Sequence, residues 1–335
     1  MLELALRRKL TLSATQGNLC HMKQQQRWTA AQIPDQHGRV FVVTGANSGL
    51  GLETTRALAR RGGHVILAVR DERRGRQAVA QITAQQPGAN LEVRRVDMSD
   101  LNSVRAFADR LRADLPRVDV LVNNAGVLAP PRTLSPQGHE LQFACNHLGH
   151  FALTGLLLDL LAVGRDPRVV TVSSVNHRQA RMRFDDITGE RGYSPMAFYN
   201  QSKLANALFG LELHRRLTRA GSPVRSVLAH PGYTATTLPQ SGSVGLWRVV
   251  LGRIGNPLFA QAPAQGALPQ LYAATHPGVE GGEFIGPDGL AELRGAPKRV
   301  RPSSTASDPE IARRLWELSE RLTDVRFAFP TPVES

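Results

Sequence analysis

The chain has 335 residues, 41% of them hydrophobic, 21% charged and 5% aromatic, the profile of a globular protein with room for one large domain or two small ones. That apolar content excludes global disorder, and no uninterrupted apolar run reaches the roughly 18 to 20 residues of a bilayer-spanning helix. The net charge of +13 comes from 37 arginines and 4 lysines against 28 acids, scattered in ones and twos from Arg7 to Arg326; the longest basic run is Arg7-Arg8-Lys9. Such scatter reads as a basic solvated surface, and argues against a phosphate track for nucleic acid. Cys20 and Cys145 are too few for a disulfide framework or a zinc site, which fits a reducing compartment and a cytoplasmic location.

Residues 1–33 form an N-terminal extension of basic and polar residues with a weak leucine pattern, lacking the apolar core of a secretory signal. A start at Met22 would leave residues 1–21 outside the native protein. Ordered structure is expected from Arg39. Val40-Phe41-Val42-Val43-Thr44 is a continuous β-branched run, the pattern of a strand buried on both faces of a parallel sheet. Further strands are expected at 65–69, 91–96, 118–122, 168–172, 224–228 and, weakly, 282–285. Helices are expected at 74–84, 101–115, 138–163, 197–219 and 265–275, with a C-terminal helix opening at Ser307-Asp308-Pro309-Glu310. Strands alternating with helices at this spacing predict an α/β doubly wound Rossmann fold: a parallel sheet of about seven strands with helices on both faces, in one domain over residues 39–325, followed by a tail at 326–335.

The turn after the first strand, Gly45-Ala46-Asn47-Ser48-Gly49-Leu50-Gly51, carries three glycines between a buried strand and an amphipathic helix. Glycine permits the tight turn, and the free N–H groups of a helix N-terminus favour a diphosphate. Later in the chain, Tyr199 and Lys203 lie four apart in a helical stretch and share a face. With four tyrosines and four lysines in 335 residues, chance predicts about 0.05 such pairs. A neighbouring cation is expected to lower a phenol pKa from about 10 and suit it to proton transfer. His147 and His150 find no third ligand at a convincing spacing, so they read as packing and not as a metal site; Cys145 reads as a small buried side chain.

Thr44-Gly45-Ala46-Asn47-Ser48-Gly49-Leu50-Gly51 resembles the TGxxxGxG fingerprint of the short-chain dehydrogenase/reductase family. Asp97-Met98 resembles its adenine-contacting pair, Asn123-Asn124-Ala125-Gly126 its NNAG motif, Tyr199 to Lys203 its YxxxK motif and Pro231-Gly232 its PG turn. The resemblance covers residues 39 to about 323 and is nearest to the branch of retinol dehydrogenases and WW-domain oxidoreductases. It implies an NAD(P)-dependent enzyme interconverting a carbonyl and an alcohol, with Tyr199 as general acid or base, Lys203 also on the nicotinamide ribose, Ser174 on the substrate oxygen and Asn146 in a water-mediated proton relay. Ser174 is chosen over Ser173 because its 25-residue spacing to Tyr199 resembles that branch. The cofactor would lie on Gly45, Asn47, Ser48, Gly49, Leu50, Gly51, Asp97, Met98, Asn124, Ala125, Gly126, Pro231, Gly232 and Thr234. By the same analogy, the partners are a small-molecule carbonyl or alcohol and a second copy of the chain.

The second strand ends in Ala68-Val69-Arg70-Asp71. An acid about 20 residues beyond the glycines usually binds a ribose 2′-hydroxyl, and an arginine a 2′-phosphate. Arg70 comes first, with Arg73 and Arg74 close behind, so NADP (NADPH) is favoured over NAD. Loops at 129–135, 176–193 and 233–262 follow the later strands and should shape the substrate site; the apolar character of the last predicts a lipophilic substrate. Two other classes compete with the enzyme: a non-catalytic NAD(P)-binding sensor or scaffold, disfavoured by the retained Tyr/Lys pair, and a nucleic-acid binder, supported by charge alone.

Overall fold

A computed structural model describes residues 27–233 and 261–329. Eight strands form one sheet in the order β3-β2-β1-β4-β5-β6-β7-β8. These are β1 (Val40–Thr44), β2 (His64–Val69), β3 (Leu91–Arg95), β4 (Val120–Asn123), β5 (Arg168–Val172), β6 (Arg225–Ala229), β7 (Phe284–Pro287) and β8 (Pro297–Val300). All neighbours pair in parallel except β7 and β8, which are antiparallel. β1 shows why its sequence forms a central strand: Phe41, Val42 and Val43 are wholly buried, with side chains alternating between the two helical layers.

One layer holds α1 (Gly49–Arg60), α2 (Glu72–Gln85), α8 (Pro263–Gly266) and α9 (Leu268–Thr275). Leu58, Ala78, Leu268 and Leu271 pack there with Phe41 and Val43. The other layer holds α3 (Leu101–Asp114), α4 (Leu141–Phe143), α5 (Gly149–Leu156), α6 (Leu158–Ala162), the long α7 (Pro195–Arg219), α10 (Ser304–Ser307) and α11 (Pro309–Thr323). There Val42 and Leu121 meet Phe107, Phe151, Phe209 and Trp316. Strand order reverses between β2-β1 and β4-β5, so the crevice beyond the ends of β1 and β4 is the topological switch point where open α/β sheets take ligands.

The doubly wound architecture follows the sequence expectation, with three differences. The eighth strand escaped the pattern because Pro297–Val300 is a short polar edge segment. The helix expected over 138–163 is interrupted by a π-turn at Ala144–Leu148 and breaks again at Leu157. The folded body also exceeds the expected bounds at both ends. Trp28 meets Tyr272 edge-on at 5.2 Å and Ile33 is 2% exposed, while Phe327 packs 4.6 Å from the Trp316 ring. Trp28 and Ile33 are isolated apolar residues among polar ones, and Val325, Phe327 and Phe329 alternate inward over a stretch of only five residues, too short for the sequence to announce. No helix of the described residues is long and apolar enough to cross a membrane.

Candidate active site

The glycine turn is built as a cradle. Gly45 and Gly49 have φ of +68° and +53°. A Cβ on Gly51 would lie 2.3 Å from the Gly45 carbonyl oxygen, so only glycine lets this helix start so close to the strand. Thr44 is the hub beneath it: its wholly buried hydroxyl accepts the backbone N–H groups of Asn124 and Ala125, each at 2.9 Å. The Asn124 amide donates to the Thr44 carbonyl at 2.8 Å. The glycine turn and the loop after β4 are thereby fixed as one floor.

A cleft runs across this floor. Gly45, Asn47, Ser48, Gly49, Leu50, Asn124, Ala125 and Gly126 form its centre; Arg70, Asp71, Arg74, Asp97 and Met98 lie at one end, and Ser173, Lys203 and Pro231 at the other. Asp97 is shaped by Ser99, whose N–H and hydroxyl donate to its carboxylate at 2.9 and 2.6 Å. Five lining residues were missed as ligand contacts by sequence reasoning: Ala68, Val96, Val127, Val172 and Cys145, the last with its buried thiol pushed up to about 12. Gly149 was missed as well: a Cβ there would sit 2.1 Å from the Met98 carbonyl oxygen, so its bareness lets α5 close beneath that wall.

Arg70 and Asp71 divide one end of the cleft. The Asp71 carboxylate is the N-cap of α2, accepting the Arg74 N–H at 3.1 Å. That bond and the adjacent Arg73 and Arg74 charges hold its pKa below the usual carboxylate value. A capping carboxylate is committed to its own helix, leaving Arg70 and Arg74 on the cleft wall.

Ser173 and Ser174 also separate. The Ser173 hydroxyl donates to the Lys203 backbone carbonyl at 2.7 Å, whereas the Ser174 hydroxyl accepts the Asn176 N–H at 3.2 Å and is close enough to the Tyr199 phenol to draw its pKa down. Tyr199 and Lys203 share a face of α7, with the Lys203 ammonium 5.8 Å from the tyrosine ring centroid and 3.3 Å from the Val172 carbonyl oxygen. The expected lowering of the phenol pKa is not what the protein alone produces. Burial pushes Tyr199 up to about 12 and Lys203 down to about 8. Desolvation outweighs the lowering by Ser174, and the Lys203 ammonium is turned to the Val172 carbonyl.

Asn146 sits inside the π-turn, wholly buried, and its amide is fully engaged: Oδ1 accepts the Val127 N–H at 2.8 Å, and Nδ2 donates to the Val127 carbonyl and to Ser202 Oγ at 3.1 and 2.9 Å. Single π-turns inside helices often mark functional positions, because the extra residue loosens the backbone bonding there. His147 donates or accepts at Ser319 Oγ, 2.8 Å away, in a cluster with Phe143, Phe151 and Phe209. Among the described residues no group of three or more His, Cys, Asp or Glu could hold a metal ion. Gly232, φ +69°, follows Pro231 at the Lys203 end of the cleft; Thr234 and the loop expected to shape the substrate site lie outside the described residues, apart from Tyr233, Gln261 and Ala262.

A doubly wound sheet with a glycine cradle at its switch point and Lys203, 5.8 Å from the Tyr199 ring centroid, at the far end of the same cleft defines a dinucleotide-dependent oxidoreductase. The family model for short chain dehydrogenases matches residues 39–243, and the chain belongs to that family. Mouse retinol dehydrogenase 14 is 39% identical over 301 residues, 86% of this chain and 87% of the relative. A crystal structure of an uncharacterised Mycobacterium paratuberculosis protein is 43% identical, with a TM-score of 0.75 over 90% of this chain and 99% of that one. A short chain dehydrogenase from Shigella flexneri, complexed with NADP, is 25% identical with a TM-score of 0.59, covering 74% and 96% of the two chains. The protein is an oxidoreductase of the NAD(P)-binding family, acting on CH–OH or C=O groups.

Proposed function

We propose that the protein is an NADP-dependent oxidoreductase that interconverts a lipophilic carbonyl compound and its alcohol, with Tyr199 as the proton donor or acceptor. The observation that carries the reading is the grouping of Ser174, Tyr199 and Lys203: Lys203 lines the cleft with its ammonium 5.8 Å from the Tyr199 ring centroid, and Ser174 acts on the Tyr199 phenol. The glycine cradle fits a diphosphate, and Arg70 and Arg74 fit a ribose 2′-phosphate, with Asp71 withdrawn into its helix cap. The Shigella neighbour's NADP is in keeping with that choice.

When bound, the nicotinamide supplies or accepts the hydride. In the reductive direction the Ser174 and Tyr199 hydroxyls both aim at the carbonyl oxygen; Tyr199 transfers its proton to the oxygen as negative charge develops there, and Ser174 steadies it with a hydrogen bond. Lys203 is placed to hold the nicotinamide ribose and to restore the proton to Tyr199, and Asn146 fixes the loop after β4 against α7 through Val127 and Ser202. A phenol pushed up to about 12 is protonated at neutral pH, the state a proton donor in carbonyl reduction needs.

A lipophilic substrate is supported by Met196 and Tyr233, 43% and 49% exposed, one helical turn before Tyr199 and directly after Gly232. The likeness to a retinol dehydrogenase points the same way. The test is a panel of carbonyls and alcohols followed by NADPH absorbance, with Tyr199→Phe as control. Turnover in wild type and a loss of at least 1,000-fold in the variant are expected; equal rates in both would reject the mechanism, and NADPH binding without turnover of any substrate would favour a sensor.

A further inference from the structure

The carboxylate of Glu292 is reached from both walls of the nicotinamide end. His230 follows β6 and is wholly buried. Its Nδ1 accepts the backbone N–H of Gly232 at 3.3 Å, so the ring proton is on Nε2, which donates to Glu292 Oε2 at 2.9 Å. From the other side, Arg178 donates to the two Glu292 oxygens at 2.9 and 3.1 Å and to the Arg301 carbonyl at 2.8 Å. Arg178 belongs to the single turn Val175–Gln179 that begins directly after Ser174. Beside it, His177 Nδ1 donates to the Ser174 carbonyl at 2.7 Å while Nε2 accepts the Ser303 N–H at 3.1 Å.

The loop between β7 and β8 is built to present this carboxylate. Ala291 and Glu292 both have left-handed backbone conformations, φ +50° and +57°, which non-glycine residues adopt at a cost that the surroundings must offset. The same loop seats the PG turn: Tyr233 N–H donates to the Leu293 carbonyl at 2.7 Å, and a Cβ on Gly232 would lie 2.4 Å from that oxygen. The Phe284 ring lies between the His177 and His230 rings, at 5.2 and 5.3 Å, and keeps water from them. Hydrogen bonds from His230 and Arg178 hold the Glu292 pKa down to about 2, so the carboxylate is charged at any working pH.

We propose that Glu292, with His230 and Arg178, is a positioning clamp that fastens the Pro231-Gly232 turn and the Ser174 segment to one strained loop, and so sets the width of the nicotinamide pocket between them. The inference rests on the dinucleotide reading above. It makes a prediction confined to one half of the cofactor, because the Arg70 end of the cleft lies across β1 and β4 from the clamp.

Dissociation constants for NADPH and for 2′,5′-ADP, which lacks the nicotinamide half, test it by titration calorimetry. His230→Phe keeps a ring against Phe284 and removes both hydrogen bonds. Glu292→Asn suits the left-handed backbone and withdraws the carboxylate without adding strain. Both variants are expected to bind NADPH at least tenfold more weakly and 2′,5′-ADP within twofold of wild type. Glu292→Gln, which keeps an oxygen for His230, is expected to recover most of the NADPH affinity. Variants that bind NADPH as wild type does, or that lose both ligands equally, overturn the clamp. A wild-type protein that binds neither ligand overturns the cofactor reading, and the clamp with it.

Discussion

The Thr44 hydroxyl lies 2.9 Å from Nε2 of His150, and the two close a buried chain from the glycine turn to the π-turn. His150 Nδ1 donates to the Asn146 carbonyl at 3.0 Å, which leaves Nε2 to accept the Thr44 proton. The Thr44 hydroxyl therefore has four partners, receiving from Asn124 and Ala125 and offering its proton to His150 at 2.9 Å and, more distantly, to the Val122 carbonyl at 3.3 Å. Thr44→Val keeps the shape and leaves two N–H groups without their acceptor, at about 1–3 kcal/mol each. A destabilisation of about 2–4 kcal/mol is expected in urea unfolding, with Thr44→Ser close to wild type; a loss below about 0.5 kcal/mol would refute the hub.

Ser173 and Ser174 are predicted to differ in kcat. Ser174→Ala removes a donor to the reacting oxygen and should lower kcat by roughly 100-fold, while the loss of its cap on the Asn176 N–H costs about 1 kcal/mol of stability. Ser173→Ala removes the bond to the Lys203 carbonyl and should cost about 1 kcal/mol of stability while kcat stays within a few-fold. The reverse pattern would show that the wrong serine has been assigned to the substrate.

The glycine turn, the strands and the Tyr199/Lys203 pair were legible in the sequence because each is a local pattern: a β-branched run, glycines at positive φ, a helical i to i+4 pair. The π-turn at Ala144–Leu148 was not, since adding one residue to a buried helix leaves its apolar content unchanged. β8 was not, because an exposed edge strand needs no alternation. The choice between Ser173 and Ser174 came from family spacing; locally both end the same strand, and only the position of α7 tells them apart. The direction of the Tyr199 shift was misjudged because charge is visible in a sequence and desolvation is not. Glu292 was invisible for a related reason: it stands 62 residues from His230 and 114 from Arg178.

Cofactor preference turns on Arg70 and the capped Asp71. Arg70→Ser should raise KM for NADPH at least tenfold and leave KM for NADH within about threefold, since only the 2′-phosphate loses a partner. Asp71→Asn preserves an N-cap oxygen, so both cofactors should be used as before. If Asp71→Asn instead cost NADH selectively, its carboxylate would be a ribose ligand and the cap a secondary contact.

Three buried histidines set the acid limb of stability. Burial lowers His147 to about 3 and His150 and His177 to about 4, from 6.5 in the unfolded chain. Each is neutral in the fold, so between pH 6.5 and about 4 the unfolded chain binds more protons than the native one, and stability falls as pH falls. The contribution is fully present above pH 6.5. Each pH unit within the window removes up to about 1.4 kcal/mol per histidine. The Glu292 carboxylate, lowered to about 2, has the same sign but acts only below its unfolded value of 4.5; between pH 6.5 and 5 the three histidines lead, with His64, His139, His214 and His276 lowered in the same sense and Glu140, raised by burial, opposing them. Over that interval the melting temperature should drop by about 10 °C, given about 2–4 °C per kcal/mol for a domain of this size. His147→Leu, which removes the least ligand-linked of the three, should shallow the slope by about a third; an unchanged melting temperature between pH 6.5 and 5 would rule out the buried neutral state of all three.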